Sequence, residues 1–346
     1  MKVLVTGAAG FIGSHIVDAL RERGDTVIGI DSLDPGVHHG APDYLRDDVE
    51  YCFVDLRHWR PDARFDDIEA VIHLAALGGV ARASRELENV IDANCAGTAK
   101  LVEVARTWPA LRSIVLASSF SIYGSGYSYR CDQCGATQSG GRDTQRLAAG
   151  DFEVRCSTCG GDTRIVPITT AAVPAPLETY GASKYMQELC FRGFEHAPVH
   201  IMRFSSVYGT RLRLHDGEAT IIAKLAGWIG DGHTPTLFED GQQIRDWVYV
   251  GDVVATALAL TGRPAPAQVV NVCSGVPTTL LEACEILADC LGTDVRPRVV
   301  GGFRPGDMRH CLGDAAPLEA LLGRAPVPFV EGARLTFGAA NAATRQ

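Results

Sequence analysis

The amino-acid sequence predicts an α/β protein organised around a doubly wound parallel sheet. Short apolar segments, typical of buried parallel strands, alternate with helical patterns along most of the chain. A glycine-rich turn joins the first apolar segment to the first helical pattern. The chain has 346 residues, of which 46% are hydrophobic, enough for one large domain or two coupled ones. Together these observations indicate a parallel sheet that is covered by helices on both faces.

The N-terminal segment shows this pattern most completely. Lys2 to Thr6 is a strand-like run that enters the glycine-rich turn at 7–13, and a helical pattern follows from Ser14 to Arg23. Glycines there allow a tight turn and bring the helix N-terminus close to a pyrophosphate. The second strand, Thr26 to Ile30, ends at Asp31, whose carboxylate can accept hydrogen bonds from ribose hydroxyls and would repel a 2′-phosphate. The segment therefore predicts NAD as cofactor in preference to NADP.

Further strands and helices continue the alternation. Strands are predicted near Tyr51–Val54, Ala70–Leu74, Ser113–Ala117 and Val199–Phe204, with a return strand at Val248–Val250 and another strand at Gln268–Val272. Helices are predicted from Glu86 to Arg106, around Tyr180, and from Asp252 to Thr261.

Several motifs follow one another in a fixed order. They are a G-x-x-G-x-x-G turn at 7–13, Asp31, Asp55-Leu56, His73-Leu-Ala-Ala76, Asn94-x-x-Gly97-Thr98, Ser118-Ser119 and Tyr180-x-x-x-Lys184. In this set the sequence resembles an extended short-chain dehydrogenase/reductase, and more narrowly the NAD-dependent nucleotide-sugar epimerase/dehydratase family. The likeness runs from the first strand to about Asp314, apart from one insertion. It implies a Rossmann-type NAD-binding domain with a smaller C-terminal substrate domain.

The resemblance also implies which residues bind the cofactor. The predicted NAD-binding residues are Gly7, Gly10, Phe11, Ile12, Gly13, Asp31, Ser32, Asp55, Leu56, Leu74, Ala75, Ala76, Asn94, Tyr180, Lys184 and Phe204. Asn94 is expected to brace the backbone near the active site as well. We expect NAD to stay tightly bound, because an epimerisation regenerates it in each cycle.

The catalytic group is predicted around Tyr180. Tyr180 and Lys184 are four residues apart and therefore share one face of a helix. A phenol with its ordinary pKa of about 10 is a poor base at neutral pH, and a cation one helical turn away stabilises the phenolate. The resemblance implies that Tyr180, assisted by Lys184, takes a proton from a sugar hydroxyl that Ser119 orients.

The two residues after Ser119 narrow the reaction class. Dehydratases and decarboxylases of the family carry acidic residues in this region, whereas this chain has Phe120 and Ser121, neither of which is a general acid near neutral pH. The sequence therefore predicts epimerisation of a nucleotide-diphosphate sugar, most simply at C4 through a transient 4-keto intermediate. It leaves open a dehydratase or decarboxylase that recruits an acid from elsewhere, a 4-ketosugar reductase, and a non-catalytic NAD-binding scaffold.

The predicted substrate-binding residues are Ser121, Ser206, Arg245 and Arg304. Arg245 and Arg304 match two family motifs whose guanidinium groups bind the diphosphate, and a planar guanidinium suits phosphate oxygens. Ser206 stands where the family commonly has an Asn that touches the substrate. Neither the nucleotide nor the sugar can be identified from these residues.

The insertion carries two C-x-x-C-G motifs. Cys131 and Cys134 form the first pair, Cys156 and Cys159 the second, and 21 residues separate the pairs. This spacing predicts a structural zinc site with four cysteine ligands; a redox disulfide pair and unconnected thiols are the alternatives. Since both ends of the insertion connect to catalytic motifs, we expect it to be a lid or an interface module beside the substrate site.

The predicted domains are an NAD-binding domain at 1–128 and 163–205 with a return segment near 245–273, a zinc-ribbon-like insertion at 129–162, and a substrate domain at 206–244 and 274–346. By resemblance, the helix at Glu86–Arg106 and the Tyr180 helix form a homodimer interface. The net charge of −9 and the absence of a basic stripe disfavour nucleic acid or an anionic membrane as a partner. A cytoplasmic location is expected, because neither a signal peptide nor a membrane-spanning segment is evident.

Overall fold

The computed structural model describes residues 1–124, 127–214, 220–304 and 307–338. The strands are β1 (Lys2–Thr6), β2 (Thr26–Asp31), β3 (Glu50–Phe53), β4 (Ala70–His73), β5 (Ser113–Ser119), β6 (Ser128–Cys131), β7 (Thr137–Ser139), β8 (Thr163–Val166), β9 (Val199–Phe204), β10 (Ser206–Tyr208), β11 (Thr236–Leu237), β12 (Ile244–Arg245), β13 (Trp247–Tyr249), β14 (Val269–Val272), β15 (Thr278–Thr279) and β16 (Arg298–Val299). The α-helices are α1 (Phe11–Glu22), α2 (Val80–Arg85), α3 (Leu87–Ile91), α4 (Gly97–Ala105), α5 (Thr144–Ala148), α6 (Thr179–Cys190), α7 (Ile221–Gly230), α8 (Val250–Leu260), α9 (Leu280–Leu291), α10 (Ala316–Leu322) and α11 (Phe329–Phe337).

The predicted parallel sheet is confirmed. Seven strands pair in the order β14-β9-β5-β4-β1-β2-β3, and every pair is parallel. Alternate residues of β1 show why both faces need cover: Val3 and Val5 pack with α1 and α8, whereas Leu4 packs on the opposite face with Trp108. The strands' carboxyl ends therefore meet at one edge, where ligands bind in open α/β sheets.

Two elements differ from the sequence-based expectation. The helix predicted from Glu86 to Arg106 is divided by a π-helical segment, Asp92–Ala96, between α3 and α4. The predicted return strand at Val248–Val250 is displaced by one residue to β13, and it pairs with β10 outside the seven-stranded sheet. Of the strands after β9 in the described residues, β14 alone joins the main sheet, by pairing with β9.

A second hydrophobic core lies in the C-terminal half. The buried faces of α7, α9 and α11 meet around Trp247, Leu287 and Phe329. The predicted domain boundaries stay a prediction, and parts of the predicted domains (125–126, 215–219, 305–306 and 339–346) lie outside the described residues.

The insertion forms its own small antiparallel sheet. β6 pairs with β7 on one side and with β8 on the other, and α5 lies between β7 and β8 in the chain. Three short strands and one five-residue helix leave little room for a hydrophobic core of the insertion alone. We refer to residues 128–166 as the inserted module.

Among the described residues, no helix is both long and apolar enough to cross a bilayer.

Candidate active site

The glycine-rich turn gives the sheet edge an open helix N-terminus. Gly7 has a positive φ of 72°, and a Cβ on Gly7 would lie 2.9 Å from the backbone nitrogen of Ala75. A Cβ on Gly13 would overlap the carbonyl oxygen of Gly7. Gly10 precedes α1 without a side-chain cap, so the first N–H groups of this 12-residue helix face the cavity beside the turn. Backbone that no side chain obstructs, at a helix N-terminus, fits the pyrophosphate of a dinucleotide.

A cavity of about 370 Å³ extends from this turn across the carboxyl ends of the strands. Fifteen of the sixteen predicted NAD-binding residues line it: Gly7, Gly10, Phe11, Ile12, Gly13, Asp31, Ser32, Asp55, Leu56, Leu74, Ala75, Ala76, Tyr180, Lys184 and Phe204. We call it the sheet-edge cavity. Its lining joins the glycine turn, Asp31 and the catalytic helix, which fits a dinucleotide.

Asp31 lies at the end of β2, where the sequence places it. Its carboxylate accepts hydrogen bonds from the backbone N–H groups of Ala9, at 3.0 Å, and Leu33, at 2.9 Å. These bonds hold a negative charge at the cavity wall beside the glycine turn. That arrangement fits two ribose hydroxyls and opposes a phosphate group.

Asn94 is the one predicted NAD-binding residue that is not among the described residues lining the sheet-edge cavity. It lies fully buried in the π-helical segment. Its side chain accepts a hydrogen bond from the N–H of Leu77 and donates to the carbonyl of Leu77 and the hydroxyl of Ser183. The bracing role expected of Asn94 matches this position.

Tyr180 and Ser119 meet because α6 packs directly on the end of β5. Glu178 caps the helix by accepting hydrogen bonds from the N–H groups of Tyr180, at 2.7 Å, and Gly181, at 2.9 Å. A Cβ on Gly181 would collide with the carbonyl oxygen of Ser121. A glycine one residue after the tyrosine therefore lets the first turn of α6 lie directly against the turn that follows Ser119.

Burial controls the protonation of this pair, contrary to the expectation that Lys184 would lower the pKa of Tyr180. Burial, with a smaller contribution from Glu178, raises the pKa of the Tyr180 phenol to about 12, although the hydrogen bond with Ser119 opposes this. Burial also lowers the pKa of the Lys184 ammonium to about 7, against the attraction of Glu188. Both side chains are therefore shifted towards their neutral forms.

The ammonium of Lys184 is held by a buried polar network. Lys184 donates to the side-chain oxygen of Gln187, and the amide nitrogen of Gln187 donates to the Thr98 hydroxyl at 2.7 Å. The His73 ring bonds Thr98 at 2.9 Å and Thr6 at 2.6 Å. Burial and the nearby Lys184 lower the pKa of His73 to about 3, so the ring is a neutral structural group.

A second cavity, of about 710 Å³, lies in the C-terminal half. Both predicted diphosphate ligands line it: Arg245 donates to the carbonyl groups of Ile244, Met308 and Arg309, and the guanidinium of Arg304 lies 4.4 Å from the Phe238 ring centroid. We call it the substrate-side cavity. Two guanidinium groups beside an aromatic face suit a nucleoside diphosphate.

The two predicted substrate-binding serines lie elsewhere. Ser121 follows Ser119 in a short 3₁₀ turn, where its N–H donates to the Ser119 hydroxyl at 3.1 Å. Ser206 begins β10 and donates its N–H to the carbonyl of Asp246. Neither serine is among the described residues that line the two cavities.

The position after Ser119 holds an apolar side chain in place of an acidic one. Phe120 is buried against Tyr123. The acidic residue nearest to Tyr180 in the sequence is Glu178, and both of its carboxylate oxygens accept hydrogen bonds that cap α6. Its pKa is raised by burial.

The four predicted metal ligands come together in the inserted module. The Sγ atoms of Cys131 and Cys159 are 3.5 Å apart, and the Sγ atom of Cys134 lies 3.6 Å from those of both Cys156 and Cys159. All four ligand atoms lie within 4.8 Å of one another. Sulfurs about 2.3 Å from a tetrahedral zinc would be about 3.8 Å apart, so the set fits Zn²⁺. These separations are too long for disulfide bonds.

Backbone N–H groups support the four thiols. Gln133 and Cys134 donate to the sulfur of Cys131, each at 3.4 Å. Hydrogen bonds from the backbone of Cys159 and Thr158 lower the pKa of Cys156 to about 6. Donors directed at sulfur favour the thiolate form that a metal requires.

Sequence reasoning missed three groups at these sites: Glu178 as the cap of the catalytic helix, Gln187 beside Lys184, and the buried Arg309 behind Arg245. A polar residue before the first helical turn is a recognisable cap signal, so Glu178 could have been found. Gln187 follows Lys184 by three residues and is its neighbour on the helix. Arg309 carries no local signal.

The family model described as "NAD dependent epimerase/dehydratase family" matches residues 3–139 and 154–273. The dTDP-L-rhamnose 4-epimerase of Burkholderia thailandensis is 31% identical over 337 residues, covering 94% of this chain and 90% of that protein. The solved UDP-glucose 4-epimerase of Thermus thermophilus, in complex with NAD, is 28% identical with a TM-score of 0.73, covering 97% of this chain and 98% of that one.

A UDP-glucose 4-epimerase of Thermotoga maritima, solved with UDP-glucose, is 27% identical with a TM-score of 0.75 and covers 97% of both chains. The match to the family model is interrupted at 140–153, inside the segment that the sequence predicts to be an insertion. These matches cover most of the chain, and the sheet-edge cavity is lined by the glycine turn, Tyr180 and Lys184. Together they establish the family of this chain. The chain belongs to the NAD-dependent epimerase/dehydratase family.

Proposed function

We propose that this protein catalyses the NAD-dependent epimerisation of a nucleotide-diphosphate sugar at C4. One observation carries the proposal: Tyr180 and Lys184 line the same cavity as the glycine turn and Asp31, α6 packs on the end of β5 where Ser119 lies, and the residue after Ser119 is a buried Phe120 in place of an acid. The 4-epimerase activities named for the relatives from Burkholderia and Thermus support the same reaction. Asp31 favours NAD over NADP.

In the proposed mechanism the Tyr180 phenolate removes the proton of the sugar 4-hydroxyl, which Ser119 orients by a hydrogen bond. When bound, NAD would supply the hydride acceptor, the positive charge of its oxidised form and, once reduced, the hydride that returns to the other face of the keto sugar. Tyr180 returns the proton after the 4-keto sugar has turned over, so its net protonation is unchanged in each cycle. Lys184, held by Gln187, stabilises the phenolate when it forms.

The high pKa of Tyr180 has a consequence for this scheme. The phenol and Lys184 both favour neutral forms in the buried site, so the chain alone does not hold a phenolate at neutral pH. The strength of Tyr180 as a base would then depend on the positive charge of the oxidised cofactor. This couples deprotonation of the sugar to the state in which a hydride can be accepted.

Arg245 and Arg304 are proposed to hold the diphosphate while the sugar turns. Their place in a separate cavity supports this, because an anchor for the nucleotide must lie apart from the reacting carbon. Ser121 and Ser206 remain proposed sugar contacts, with support from the family motifs alone.

Epimerisation is favoured over the rival chemistries. Elimination of water needs a free carboxylic acid, and Glu178 is committed to two backbone N–H groups. A non-catalytic scaffold would not need a buried tyrosine bonded to a serine. A 4-ketosugar reductase would use the same residues but would need exchangeable cofactor.

The test is proton NMR of the purified protein with UDP- and dTDP-sugars and no added NAD. A new anomeric signal from an isomer of the substrate is the expected result. A 4-keto-6-deoxy or decarboxylated product would replace epimerisation with one of the rival reactions. Conversion only after NADH is added would point to a reductase.

We also propose that the four cysteines bind structural Zn²⁺. The sulfur separations support this, and no fifth ligand group belongs to the described cluster, so the site is closed in the manner of structural sites. Metal analysis of protein purified without added zinc is expected to give one zinc per chain. Replacing Cys134 by Ser should abolish that zinc; full retention would contradict the assignment.

A homodimer through α3 and α6 is proposed as well. Leu87 and Ile91 on α3 and Met186 on α6 are 51%, 44% and 45% exposed, an apolar set on two helices that contact each other. Light scattering should give twice the chain mass, and Met186→Lys should shift it towards the monomer. A monomeric wild type would exclude the dimer. The cytoplasmic location stays a prediction.

A further inference from the structure

The inserted module contacts the C-terminal half through a partly buried ionic network. Arg142 and Glu153 are its members from the module, and Glu239, Asp240 and Arg309 are its members from the substrate side. The Arg142 side chain is 5% exposed and that of Glu239 is 3% exposed. Buried charges are retained only where each has partners, so these contacts are specific rather than incidental.

Arg142 holds two loops of the substrate side at once. One guanidinium nitrogen donates to a carboxylate oxygen of Glu239 at 2.8 Å, and the other donates to the carbonyl of Asp307 at 2.6 Å. Glu239 has a positive φ of 56°, a conformation that a non-glycine residue keeps only when its surroundings enforce it. Both Glu239 and Asp307 line the substrate-side cavity.

Glu153 reaches the same cavity through Arg309. Its carboxylate accepts from the fully buried Arg309 guanidinium and contacts the His310 ring at 3.1 Å. The backbone carbonyl of Arg309 in turn accepts a hydrogen bond from Arg245 at 3.1 Å. A chain of direct contacts therefore runs from the module to a guanidinium at the substrate side.

A third cavity, of about 310 Å³, lies along the contact. The module lines it with Tyr129 and Arg142, the substrate side with Met308, and the segment before the catalytic helix with Leu177. Met308 lines the substrate-side cavity as well. The module is thus placed between the catalytic segment and the proposed nucleotide site.

From these contacts we infer that the inserted module supports the loops that line the substrate-side cavity, and that Arg142 and Glu153 are positioning residues for nucleotide-diphosphate binding. The module fixes the loops at 238–240 and 307–310 and leaves the sheet-edge cavity untouched. The inference deepens the proposed function, and its nucleotide-binding part rests on it.

Hydrogen exchange of the full-length protein tests the positioning directly and needs no ligand. Arg142→Met keeps the aliphatic length and removes the donors, so exchange should rise about tenfold or more in 236–245 and 307–312 and stay unchanged in 2–22. Arg164→Met is the matched control, since Arg164 is an exposed module residue paired with Asp132. Wild-type exchange in both loops of the Arg142 variant would overturn the inference.

Binding of UDP and dTDP supplies the second readout. We expect Arg142→Met to weaken the nucleotide that binds wild type by about tenfold with NAD affinity unchanged. Turnover should show a raised KM with kcat retained. Equal nucleotide affinity in both proteins, including no binding to either, would overturn the nucleotide part. Glu153→Gln, nearly isosteric, repeats the test if Arg142→Met folds poorly.

The two proposals fail separately. If no epimerised sugar forms in the NMR assay, the proposed function fails while the exchange result still decides whether the module positions the loops. If the Arg142 variant behaves like wild type while epimerisation occurs, only the inference fails.

Discussion

The sheet-edge cavity and the substrate-side cavity are built by different means. The first is formed by backbone: strand ends, a glycine turn and a helix N-terminus, all close to one another in sequence or fixed by parallel pairing. The second is lined by loops that ion pairs between distant segments hold in place, such as Arg142 with Glu239 and Glu153 with Arg309. Backbone geometry leaves motifs in a sequence, whereas long-range ion pairs do not.

The two regions should also respond differently to change. A cavity made of backbone fails when an added atom collides with it. A cavity held by ion pairs fails when one partner leaves another charge buried and unpaired. The following predictions test whether damage to one region spares the other.

The largest effect is expected at the catalytic group. Tyr180→Phe removes the hydroxyl that exchanges the proton and keeps the ring, so turnover should fall by roughly 10²- to 10⁴-fold while NAD and nucleotide affinities are retained. Tyr185→Phe, on the same helix, should leave turnover close to wild type. Substantial epimerisation by the Tyr180 variant would show that another group is the base.

A collision in the glycine turn should damage the sheet edge alone. A Cβ on Gly13 would overlap the Gly7 carbonyl oxygen, so Gly13→Ala should weaken NAD binding by up to about a hundredfold. Gly230→Ala on α7, where the nearest atom is 3.8 Å away, is the control. Titration with NAD gives the affinities. Zinc content should remain at the wild-type level, and loss of zinc in Gly13→Ala would mean the regions are coupled.

His73 should make the sheet half sensitive to acid. Its pKa is lowered in the folded state from its ordinary value to about 3, so the unfolded state binds more protons below about pH 6.5 and stability falls as pH decreases. At pH 5 the loss is about 2 kcal/mol, or about thirtyfold in the unfolding constant. Urea unfolding of wild type and His73→Asn at pH 7 and pH 5 measures it. Equal pH dependence in both proteins would remove the assignment to His73.

The smallest effect is expected at Gln187. Gln187→Leu removes the acceptor of the Lys184 ammonium and should lower the pKa of Lys184 further; Gln187→Glu should raise it. The alkaline limb of the kcat/KM profile should move in these opposite directions by about one pH unit. Identical profiles in both variants would show that Lys184 does not depend on this contact.

The sequence predicted the residues of the backbone-built sheet-edge cavity better than the contacts that depend on packing between distant segments. Gly7, Asp31 and Tyr180 lie at strand ends or on one helix face, and the structure brings them together along one cavity. The sequence did not predict that Asn94 lies outside the cavity wall or that β13 pairs with β10. A π-helical segment and the partner of a strand depend on packing rather than on local pattern.

The sequence by itself determined the parallel sheet, the dinucleotide turn, the Ser119-Tyr180-Lys184 group and the four clustered cysteines. These depend on local periodicity and short spacing, which a chain displays directly. Only the tertiary structure decided that burial governs the pKa values of Tyr180 and Lys184, and that Arg142 and Glu153 attach the inserted module to the substrate side. Burial and long-range ion pairing are properties of the packed molecule, because they depend on which distant residues surround a group.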